Sequence, residues 1–573
     1  MKVSDYIASF LYAQGVRQVF EVVGGMITHI VDSIYLQGKI RLVSTHHEQA
    51  AALAADAVGR ISGTPGVAIA TSGPGAVNLL TGIGSCYFDS SPSVFITGQV
   101  NRNEQKRQIP IRQLGFQETD IVSMARPVTK ASWCVETPEQ VPILLAKAFN
   151  LATSNRPGPV LLDIPMDVQR AEISGKPPSQ VSSPIPQYAD RNAIEELFNE
   201  LDLAQRPLVV VGGGIRAARA ADLLVTLLEN TKVPAVHSLM GVDVVPSAHP
   251  LRVGMIGTYG NRWANLAIGR SDFLLVLGSR LDIRQTGSDT VAFRGSRIIY
   301  HVDCEQAEIN NRVKGCRGIV ADLRSFLAAA AQISTTRAFR DRSDWVREIA
   351  ELKRPWPDTA ELRGLSKINP NEFMHRLAAA SNLGATFVVD VGQHQMWAAQ
   401  SLDLDIGQRF VTFGGMGAMG SALPAAVGAA FARPNAPVVV ISGDGGFQLN
   451  IQELQTVVHN RLPLKMVVLN NQCYGMVRQF QESYFQGRYQ STYWGYSAPD
   501  FARVANAYGI DSCTLDDPSD TETVLGRLWN DPHAPFLLQV IIDTFANVYP
   551  KIAFGRPITE MEPFSKPSEM EGT

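Results

Sequence analysis

The stretch VVVISGDGGFQLNIQEL at 438–454, followed by LKMVVLNNQCYGM at 464–476, decides the fold of this chain. Each part begins with an apolar, β-branched run that is typical of a buried strand, and the pattern between the two runs predicts a helix. Parallel strands end at the same edge of a sheet, where α/β proteins bind their ligands. The sequence therefore predicts that Gly443-Asp444-Gly445 and Asn470-Asn471 are neighbours at a ligand-binding edge.

The residue types at this edge indicate a cation and a phosphorylated ligand. Asp444 and Asn471 offer hard oxygen atoms, which Mg²⁺ prefers, and Mg²⁺ commonly bridges to phosphate. Gly443, Gly445 and Gly446 let the backbone approach a diphosphate closely, and the helix that begins there adds partial positive charge. A lone Gly-Asp-Gly turn is common, but strand, GDG, helix, strand and Asn-Asn in series form a specific pattern.

Composition limits the class of protein. At 573 residues the chain is too long for one core and predicts about three domains. The net charge of −3 favours neither nucleic acid nor an anionic membrane as a partner, and the six cysteines lack C-x-x-C spacing. No apolar run reaches the length of a membrane span and the first residues read as a domain's first helix, so a cytoplasmic protein is expected.

The order of apolar strands and helical patterns predicts an α/β fold with three doubly wound parallel sheets. We predict domains at 1–172, 188–335 and 366–550 and an irregular tail at 551–573. A linker rich in Pro and Ser, GKPPSQVSSPIPQ at 175–187, separates the first two domains. We find no short-period repeat in the sequence.

Three α/β domains with a metal–diphosphate motif in the third resemble the thiamine-diphosphate (ThDP) enzymes, and among them the acetohydroxyacid (acetolactate) synthases. The resemblance covers nearly the whole chain. It implies that the first domain binds the aminopyrimidine of the cofactor and that the third binds its diphosphate. It further implies that Asp444, Asn471 and the backbone carbonyl of Cys473 hold Mg²⁺, with Asn470 beside them.

Glu48 has two interpretations. It lies in THHEQAAALAADAVGR, which begins at Thr45, and a carboxylate in the first turn of a helix is stabilised by the helix dipole. On composition alone that structural interpretation is favoured. However, HHEQAA resembles the RHEQGA segment of the ThDP enzymes, which implies that Glu48 hydrogen-bonds the aminopyrimidine and takes part in proton transfer.

Several Gly-rich and aromatic segments are turn signals in any protein. The resemblance implies that some of them also line the active site. These residues are Gly25 in VVGG, Ser72 and Gly73 in SGPG, and Phe116 and Gln117 in LGFQET. In GGMGAMG the resemblance implies that the Gly417 carbonyl contacts the cofactor and that Met419 supports its bent shape, although Met is more often a plain core filler.

The sequence of the central domain bears on whether this domain binds a flavin. Gly212-Gly213-Gly214 after a strand is weak evidence for a dinucleotide, and simple decarboxylases of the family keep this domain without flavin. The similarity to the synthases nevertheless implies FAD with a structural, non-redox role. The implied FAD residues are Arg156, Gly212, Gly213, Gly214, Arg280, Arg284, Asp303 and Asp322.

Three departures from the synthase pattern concern the second substrate. Met166 in DIPMD replaces a Lys, Phe480 in GMVRQF replaces a Trp, and VVGG replaces YPGG. With Met476, Met166 and Phe480 form the predicted acceptor pocket, and the loss of a cation disfavours an anionic acceptor. We therefore expect pyruvate to be decarboxylated and its acetyl unit to be transferred to another carbonyl compound. The chain resembles the enzymes of yersiniose-type branched-sugar pathways, whose acceptor is a CDP-linked 4-keto-3,6-dideoxy sugar.

Three alternatives to this function stay open. The first is acetolactate synthase proper, the second a simple 2-keto acid decarboxylase, and the third a binding protein without activity. In the family, the two halves of each cofactor site come from different subunits, which implies a homodimer or homotetramer. The small-residue faces at 48–59 and 420–432 are predicted to pack at that subunit interface.

Overall fold

The structure is a computed structural model that describes residues 1–178, 181, 185–365, 367–568 and 570. In this part of the chain, strands form three six-stranded parallel sheets and one two-stranded antiparallel pair. The predicted α/β class with three doubly wound sheets is confirmed. Parts of the predicted linker (179, 180, 182–184) and of the predicted tail (569, 571–573) lie outside the described residues, as does residue 366 at the start of the third predicted domain.

The N-terminal sheet lies within the predicted domain 1–172. Its strands are β1 (Gln18–Val22), β2 (Arg41–Ser44), β3 (Gly66–Ala70), β4 (Ser93–Gln99), β5 (Ala131–Cys134) and β6 (Pro159–Pro165). Its helices are α1 (Val3–Ala13), α2 (Thr28–Gln37), α3 (Glu48–Ser62), α4 (Pro74–Asn78), α5 (Leu80–Phe88), α6 (Ile121–Ala125), α7 (Gln140–Thr153) and α8 (Met166–Arg170).

The central sheet lies within 188–335. Its strands are β7 (Pro207–Val211), β8 (Ala235–His237), β9 (Arg252–Met255), β10 (Phe273–Leu277), β11 (Ile298–Asp303) and β12 (Arg317–Val320). The helices of this region and the connector after it are α9 (Arg191–Leu203), α10 (Gly214–Ala217), α11 (Ala221–Thr231), α12 (Arg262–Arg270), α13 (Ile283–Thr286), α14 (Thr290–Arg294), α15 (Leu323–Thr335) and α16 (Ser343–Lys353). The strand order β12-β11-β10-β7-β8-β9 is that of a dinucleotide-binding sheet.

The C-terminal sheet lies within 366–550. Its strands are β13 (Thr386–Val389), β14 (Arg409–Thr412), β15 (Val438–Gly443), β16 (Leu464–Asn470), β17 (Asp511–Leu515) and β18 (Phe536–Ile541). Its helices are α17 (Pro370–Ala380), α18 (Gln393–Ser401), α19 (Ala422–Ala432), α20 (Asp444–Gln448), α21 (Leu454–Asn460), α22 (Gly475–Tyr484), α23 (Phe501–Ala507) and α24 (Thr521–Leu528). Among the helices of the described residues, none is long and apolar enough to cross a membrane.

The first and third sheets share one topology. Their orders, β2-β1-β3-β4-β6-β5 and β14-β13-β15-β16-β18-β17, are the same when each is numbered from its own first strand. The sequence shows no corresponding short-period repeat, because many different apolar residues can fill the same buried strand positions. The two domains are therefore structural counterparts, and each has ligand-binding loops at one sheet edge.

Helices α3 and α19 pack against each other within one chain. At Gly428 an added Cβ would lie only 2.1 Å from the Ala54 carbonyl oxygen, so the glycine permits a very close helix contact. One continuous core includes α3, α19 and strands of both outer domains. The prediction that the faces at 48–59 and 420–432 pack against another subunit is therefore wrong for these contacting residues, because their small side chains join two domains of the same chain.

In the described part of the tail after Pro550, an otherwise irregular stretch contains one two-stranded pair. Strand β19 (Lys551–Ile552) pairs antiparallel with β20 (Met561–Glu562). Ile552, Ile558 and Met561 are buried in a cluster with residues of the central domain. The sequence did not predict this pair, because a stretch of mixed polarity contains a few apolar residues that find a partner surface only in the tertiary structure.

His375 on α17 links the third domain to the connector segment that contains Asp358. Its environment makes us expect a stability that depends on pH. Its two ring nitrogens each hydrogen-bond a carboxylate at 2.7 Å, Nε2 to Asp358 and Nδ1 to Asp403. Burial alone lowers the pKa of His375, but the hydrogen bonds and charges of the two aspartates outweigh it and raise the pKa to about 10. The stabilisation is therefore complete below the ordinary histidine pKa and is lost as pH rises toward 10.

We expect His375→Gln to lower the free energy of unfolding by about 1–2 kcal/mol at pH 6, after allowance for the partial exposure of the ring. The loss should shrink as the pH approaches 10, because the wild type has then also lost the charge. Melting temperatures between pH 6 and 10.5 measure this. The exposed His459→Gln serves as the control. A constant difference across this pH range would contradict the prediction.

Candidate active site

Strands β15 and β16 place the two halves of the opening motif together. They pair in parallel, with Gly443 opposite Leu469, so that Asp444 at the start of α20 and Asn471 after β16 follow neighbouring strand ends. Both side chains are buried. The predicted adjacency at the carboxyl edge of the sheet is confirmed.

The Asp444 carboxylate has the properties of a cation ligand. Its Oδ1 accepts a hydrogen bond from the Gly445 N–H at 2.9 Å, whereas Oδ2 is buried and has no hydrogen-bond partner within the described residues. Burial raises the pKa of this carboxyl to about 7. A buried acceptor without a partner is costly, and a divalent cation at Oδ2 would offset that cost. The residues therefore fit Mg²⁺.

The remaining oxygen donors of the site are not carboxylates. Asn471 lies beside Asp444, and its Oδ1 accepts a hydrogen bond from the Cys473 N–H at 3.2 Å while its amide donates to Gln393. Within the described residues, no group of three or more His, Cys, Asp or Glu side chains is arranged to hold a metal. A cation here would depend on one carboxylate together with amide and carbonyl oxygens, a donor set that suits Mg²⁺.

The glycines of the motif are required by close packing. An added Cβ at Gly443 would lie 2.9 Å from His394 Nδ1, at Gly445 2.4 Å from Tyr474 Cε1, and at Gly446 3.0 Å from Asp390 Oδ2. Any side chain at these positions would displace the wall of the site.

Asn470 holds the turn that follows β16. Its Oδ1 accepts hydrogen bonds from the backbone and side-chain N–H groups of Gln472, and its amide donates to Gln539. The side chain is thus engaged inside the third domain. Its predicted contribution to cofactor binding stays a proposal, in which Asn470 shapes the turn that carries Asn471.

Asp390, at the end of β13, is a site residue that the sequence analysis missed. Its carboxylate accepts hydrogen bonds from the Gly420 N–H at 3.0 Å and the Ser442 hydroxyl at 3.1 Å, and burial raises its pKa to about 6. It joins the loop before α19 to the end of β15. The available signal was an acidic residue directly after an apolar strand, TFVVD, which is the same pattern that identified Asp444.

The loop 414–420 is held from two sides. Asp390 binds its end, and Asp89 of the N-terminal domain accepts a hydrogen bond from the Gly415 N–H at 2.7 Å. Gly417 has a φ of +69° with open space where a Cβ would stand, and Met419 is half-buried. The backbone at Gly417 is therefore free to face a ligand, as the sequence predicts.

A second cluster of predicted residues lies at the carboxyl edge of the N-terminal sheet. Glu48 is the first residue of α3 and is buried, and its Oε2 accepts a hydrogen bond from the Asn78 amide at 2.9 Å. Its Oε1 would be 3.1 Å from a Cβ at Gly75. Asn78 was not identified from the sequence, because nothing in the pattern of α4 distinguishes it.

Ser72, Gly73 and Gln117 lie close to Glu48 along the same edge. The Ser72 hydroxyl is buried and has no hydrogen-bond partner within the described residues. Gly73 has a φ of +67°, and an added Cβ there would be 3.0 Å from Gln117 Cβ. Gly25 is exposed at the end of β1, the neighbouring strand. Phe116 is 79% exposed and does not pack into this cluster in a single chain.

The two clusters are not joined within one chain. Glu48 contacts Asn78, while Asp444 is surrounded by Gly445, Tyr474 and Tyr496, and no hydrogen bond between the two clusters exists among the described residues. The loop before Glu48 is instead held by Glu453, whose Oε1 accepts the His46 N–H at 2.9 Å.

Comparison with known proteins identifies the domains that contain the two clusters. Models of the thiamine pyrophosphate enzymes match the N-terminal TPP binding domain at residues 1–124, the central domain at 194–330 and the C-terminal TPP binding domain at 390–540. The chain is 38% identical to the acetolactate synthase isozyme 2 large subunit of Escherichia coli K12, over 98% of this chain and 99% of that protein.

The chain belongs to the thiamine-diphosphate enzyme family. Further relatives are the isozyme 1 large subunit of Escherichia coli K12, 35% identical over 97% of each chain, and acetolactate synthase 1, chloroplastic, of Nicotiana tabacum. The tobacco protein is 35% identical over 97% of this chain and 84% of its own length. The protein is therefore a ThDP-dependent enzyme with ThDP-binding domains at both ends.

The central domain of this ThDP enzyme contains a cavity of about 860 Å³. It lies where the strand order reverses between β7 and β10, the usual ligand position in such sheets. Seven of the eight predicted FAD residues line it, namely Arg156, Gly213, Gly214, Arg280, Arg284, Asp303 and Asp322. Gly212 lies just beneath, where an added Cβ would be 2.0 Å from the Gly278 carbonyl oxygen. The cavity extends to Gly417 and Met476 of the third domain.

Several of these residues also have structural partners. Arg156 forms ion pairs with Glu305 and Glu308, Asp322 caps α15 through the Ser325 N–H, and burial raises the pKa of Asp303. The cavity volume is near the upper end of the range of ligand pockets, about 300–1,000 Å³. Its arginines and glycine-rich wall are suited to a dinucleotide diphosphate, so the residues fit FAD.

The predicted acceptor residues occupy two domains. Met476 and Phe480 lie on α22 one turn apart, and Met476 lines the central cavity. The Phe480 ring packs on Tyr484 and Phe485, with ring centroids 4.8 and 5.8 Å apart. Met166 begins α8 in the N-terminal domain. Met166 thus belongs to the first domain, whereas Met476 and Phe480 belong to the third.

Proposed function

We propose that this ThDP enzyme decarboxylates pyruvate and transfers the acetyl unit to a second molecule of pyruvate, forming 2-acetolactate and CO₂. The observation that carries the proposal is the full-length similarity, at 34–38% identity, to proteins named acetolactate synthase large subunits. The two buried clusters around Glu48 and Asp444 support a catalytic rather than a merely binding protein.

Each cluster has a defined task in this proposal. Bound ThDP supplies the electron sink that carbon–carbon bond cleavage requires. Asp444, Asn471 and the Cys473 carbonyl hold Mg²⁺, and the Gly417 carbonyl with Met419 positions the cofactor. Glu48, oriented by Asn78, exchanges a proton with the aminopyrimidine. Ser72, whose buried hydroxyl has no partner within the described residues, is available to a ligand in the same cluster.

FAD is proposed to fill the central cavity with a structural role. The cavity joins residues of all three domains, from Arg156 through Gly213 to Gly417. A ligand that spans these walls would stabilise their relative positions. No hydride transfer is assigned to it.

The minimal active unit is proposed to be a homodimer, with a homotetramer equally compatible. One chain leaves the Glu48 and Asp444 clusters separate, and Phe116, predicted to line the active site, is 79% exposed beside the Glu48 cluster. Apolar residues next to the other cluster are also exposed, including Leu449, Val477 and Trp494. Pairing two copies would cover both surfaces and complete two sites.

The test of the proposed function is to supply the purified protein with pyruvate, ThDP, Mg²⁺ and FAD and to assay 2-acetolactate. We expect sustained turnover with pyruvate alone. Release of acetaldehyde without acetolactate would instead indicate a simple decarboxylase. No consumption of pyruvate by protein that binds the cofactors would contradict the proposal.

A second candidate acceptor is a CDP-linked 4-keto-3,6-dideoxy sugar. It is favoured by Met166 and Phe480, since the first lacks the cation that would attract an anionic keto acid. The relatives named above are acetolactate synthases, and their names do not mention this acceptor. In the same assay, an added keto-sugar nucleotide or simple ketone that competes with acetolactate formation and yields a branched product would favour it. Full turnover on pyruvate alone, unchanged by ketones, would exclude it.

A further inference from the structure

Tyr496 is a residue of the third domain that neither the motif nor the proposed function uses. It lies in the segment between α22 and α23, and its buried hydroxyl has no hydrogen-bond partner in the described part of the chain other than the Asp444 carboxylate. The hydroxyl faces the Asp444 carboxylate, whose charge raises the pKa of Tyr496 in addition to burial. The Tyr496 hydroxyl and Asp444 Oδ2 are thus two buried polar atoms that lie close together, and neither is satisfied by any other group among the described residues.

The neighbouring aromatic rings fix the position of the Tyr496 hydroxyl close to Gly445, the residue that follows Asp444. The rings of Tyr474 and Tyr496 pack edge to face with centroids 4.6 Å apart. They cover Gly445, since an added Cβ there would be 2.4 Å from Tyr474 Cε1 and 3.3 Å from the Tyr496 hydroxyl oxygen. Together with Trp494 they line an open cleft of about 450 Å³ at the start of α20.

Unsatisfied buried polar groups are rare and call for a partner. The Tyr496 hydroxyl can donate one hydrogen bond, and Asp444 Oδ2 retains a lone pair for a cation when it accepts one. Carboxylates that bind metals are commonly oriented by such an outer hydrogen bond, and losing it typically costs about 10–100-fold in metal affinity.

We propose that Tyr496 is a positioning residue of the cation site, whose hydroxyl donates to Asp444 Oδ2 and fixes the carboxylate toward Mg²⁺. The inference rests on the proposed function, because it assumes that Asp444 binds the cation of the ThDP complex. Tyr474 acts as the rigid wall that holds the Tyr496 ring over Gly445.

The experiment compares wild type with Tyr496→Phe, which removes one oxygen atom and keeps the ring. Full-length protein stripped of metal is titrated with MgCl₂ at fixed ThDP, and separately with ThDP at saturating Mg²⁺. Tryptophan fluorescence is the readout, since Trp494 lines the same cleft. We expect the half-saturating Mg²⁺ concentration to rise about tenfold, with a much smaller change in the ThDP titration at saturating Mg²⁺.

Tyr493→Phe is the matched control. It lies in the same segment, is 40% exposed and packs its ring on Phe545. We expect its Mg²⁺ titration to match that of wild type. The melting temperatures of all three cofactor-free proteins should agree within a few degrees, because one hydrogen bond contributes only about 1–3 kcal/mol to stability.

Three outcomes would overturn the inference. They are an unchanged Mg²⁺ titration for Tyr496→Phe, an equal shift in Tyr493→Phe, and an equal loss in both titrations, which would place the hydroxyl on the cofactor instead of on Asp444. A wild-type protein that binds neither Mg²⁺ nor ThDP would contradict the proposed function itself, and is thereby distinguished from failure of the Tyr496 assignment.

Discussion

Glu48→Gln is expected to reduce turnover by about 10²–10⁴-fold, the range typical of losing a positioned acid–base group. The amide keeps the shape of the side chain and can still hydrogen-bond Asn78, whose amide donates to Glu48 Oε2 in the structure. It can no longer exchange the proton. Steady-state acetolactate formation measures the loss, while ThDP and Mg²⁺ titrations by fluorescence should change little.

Glu21→Gln is the control for the loss of a buried carboxyl in the same domain. Glu21 is buried in β1, and burial raises the pKa of its carboxyl. An amide should therefore be tolerated, and activity should stay within a few-fold of wild type. If Glu48→Gln retained wild-type turnover, Glu48 would have no part in the chemistry.

Asp444→Asn is expected to weaken Mg²⁺ binding by more than about 100-fold, because it removes the only carboxylate among the predicted Mg²⁺ ligands. Binding of ThDP should fail with it at ordinary Mg²⁺ concentrations, and activity should be lost. Isothermal titration of the metal-free protein with MgCl₂ in the presence of ThDP measures the change. Wild-type affinity in this variant would remove Asp444 from the cation site.

The same substitution should stabilise the cofactor-free protein. Burial raises the pKa of Asp444 from 3.8 to about 7, so the folded state binds this proton more tightly than the unfolded state does. The stability of the cofactor-free wild type therefore falls as pH rises from about 4 through 7, by on the order of 4 kcal/mol from this group. We expect Asp444→Asn to melt at a higher temperature at pH 8, and the difference to disappear only below about pH 4.

Mixing the two inactive variants tests where the sites lie. If each site combines Glu48 of one subunit with Asp444 of another, a mixed dimer of Glu48→Gln and Asp444→Asn contains one site with both mutations and one intact site. Equal amounts, unfolded and refolded together or coexpressed, should recover about a quarter of wild-type activity. No recovery, with mixed dimers shown to form, would place both groups of a site on one chain.

The motif at 438–476 was sufficient to predict the cofactor site, because its information is local. An apolar run that ends in Gly-Asp-Gly indicates a strand end, and a second run that ends in Asn-Asn indicates its neighbour. The pairing of Gly443 with Leu469 confirms that the two strands are neighbours. The local sequence pattern was not enough to predict a role for Glu48, since a carboxylate in the first turn of a helix is common. Only its combination with the third-domain motif distinguished it.

The residues that the sequence did not reveal are those defined by partners far along the chain. Asn78 lies 30 residues from Glu48, Asp390 lies 52 residues from Ser442, and Asp89 binds a loop 326 residues away. Tyr496 lies in an aromatic segment without periodicity, and only its position over Gly445 in the structure points to a role in the cation site. Hydrogen bonds of this kind leave no trace in spacing or hydrophobic pattern.

The sequence by itself determined the three α/β domains and the adjacency of Asp444 and Asn471, the predicted cation ligands, because strand ends and glycine turns are encoded by neighbouring residues. The tertiary structure alone decided that α3 and α19 pack within one chain and that the described part of the tail folds onto the central domain. It also decided that, among the described residues, no hydrogen bond joins the Glu48 and Asp444 clusters. Those outcomes depend on which apolar surfaces meet, and the free energy of burial follows from the contact made and not from the order of residues along the chain.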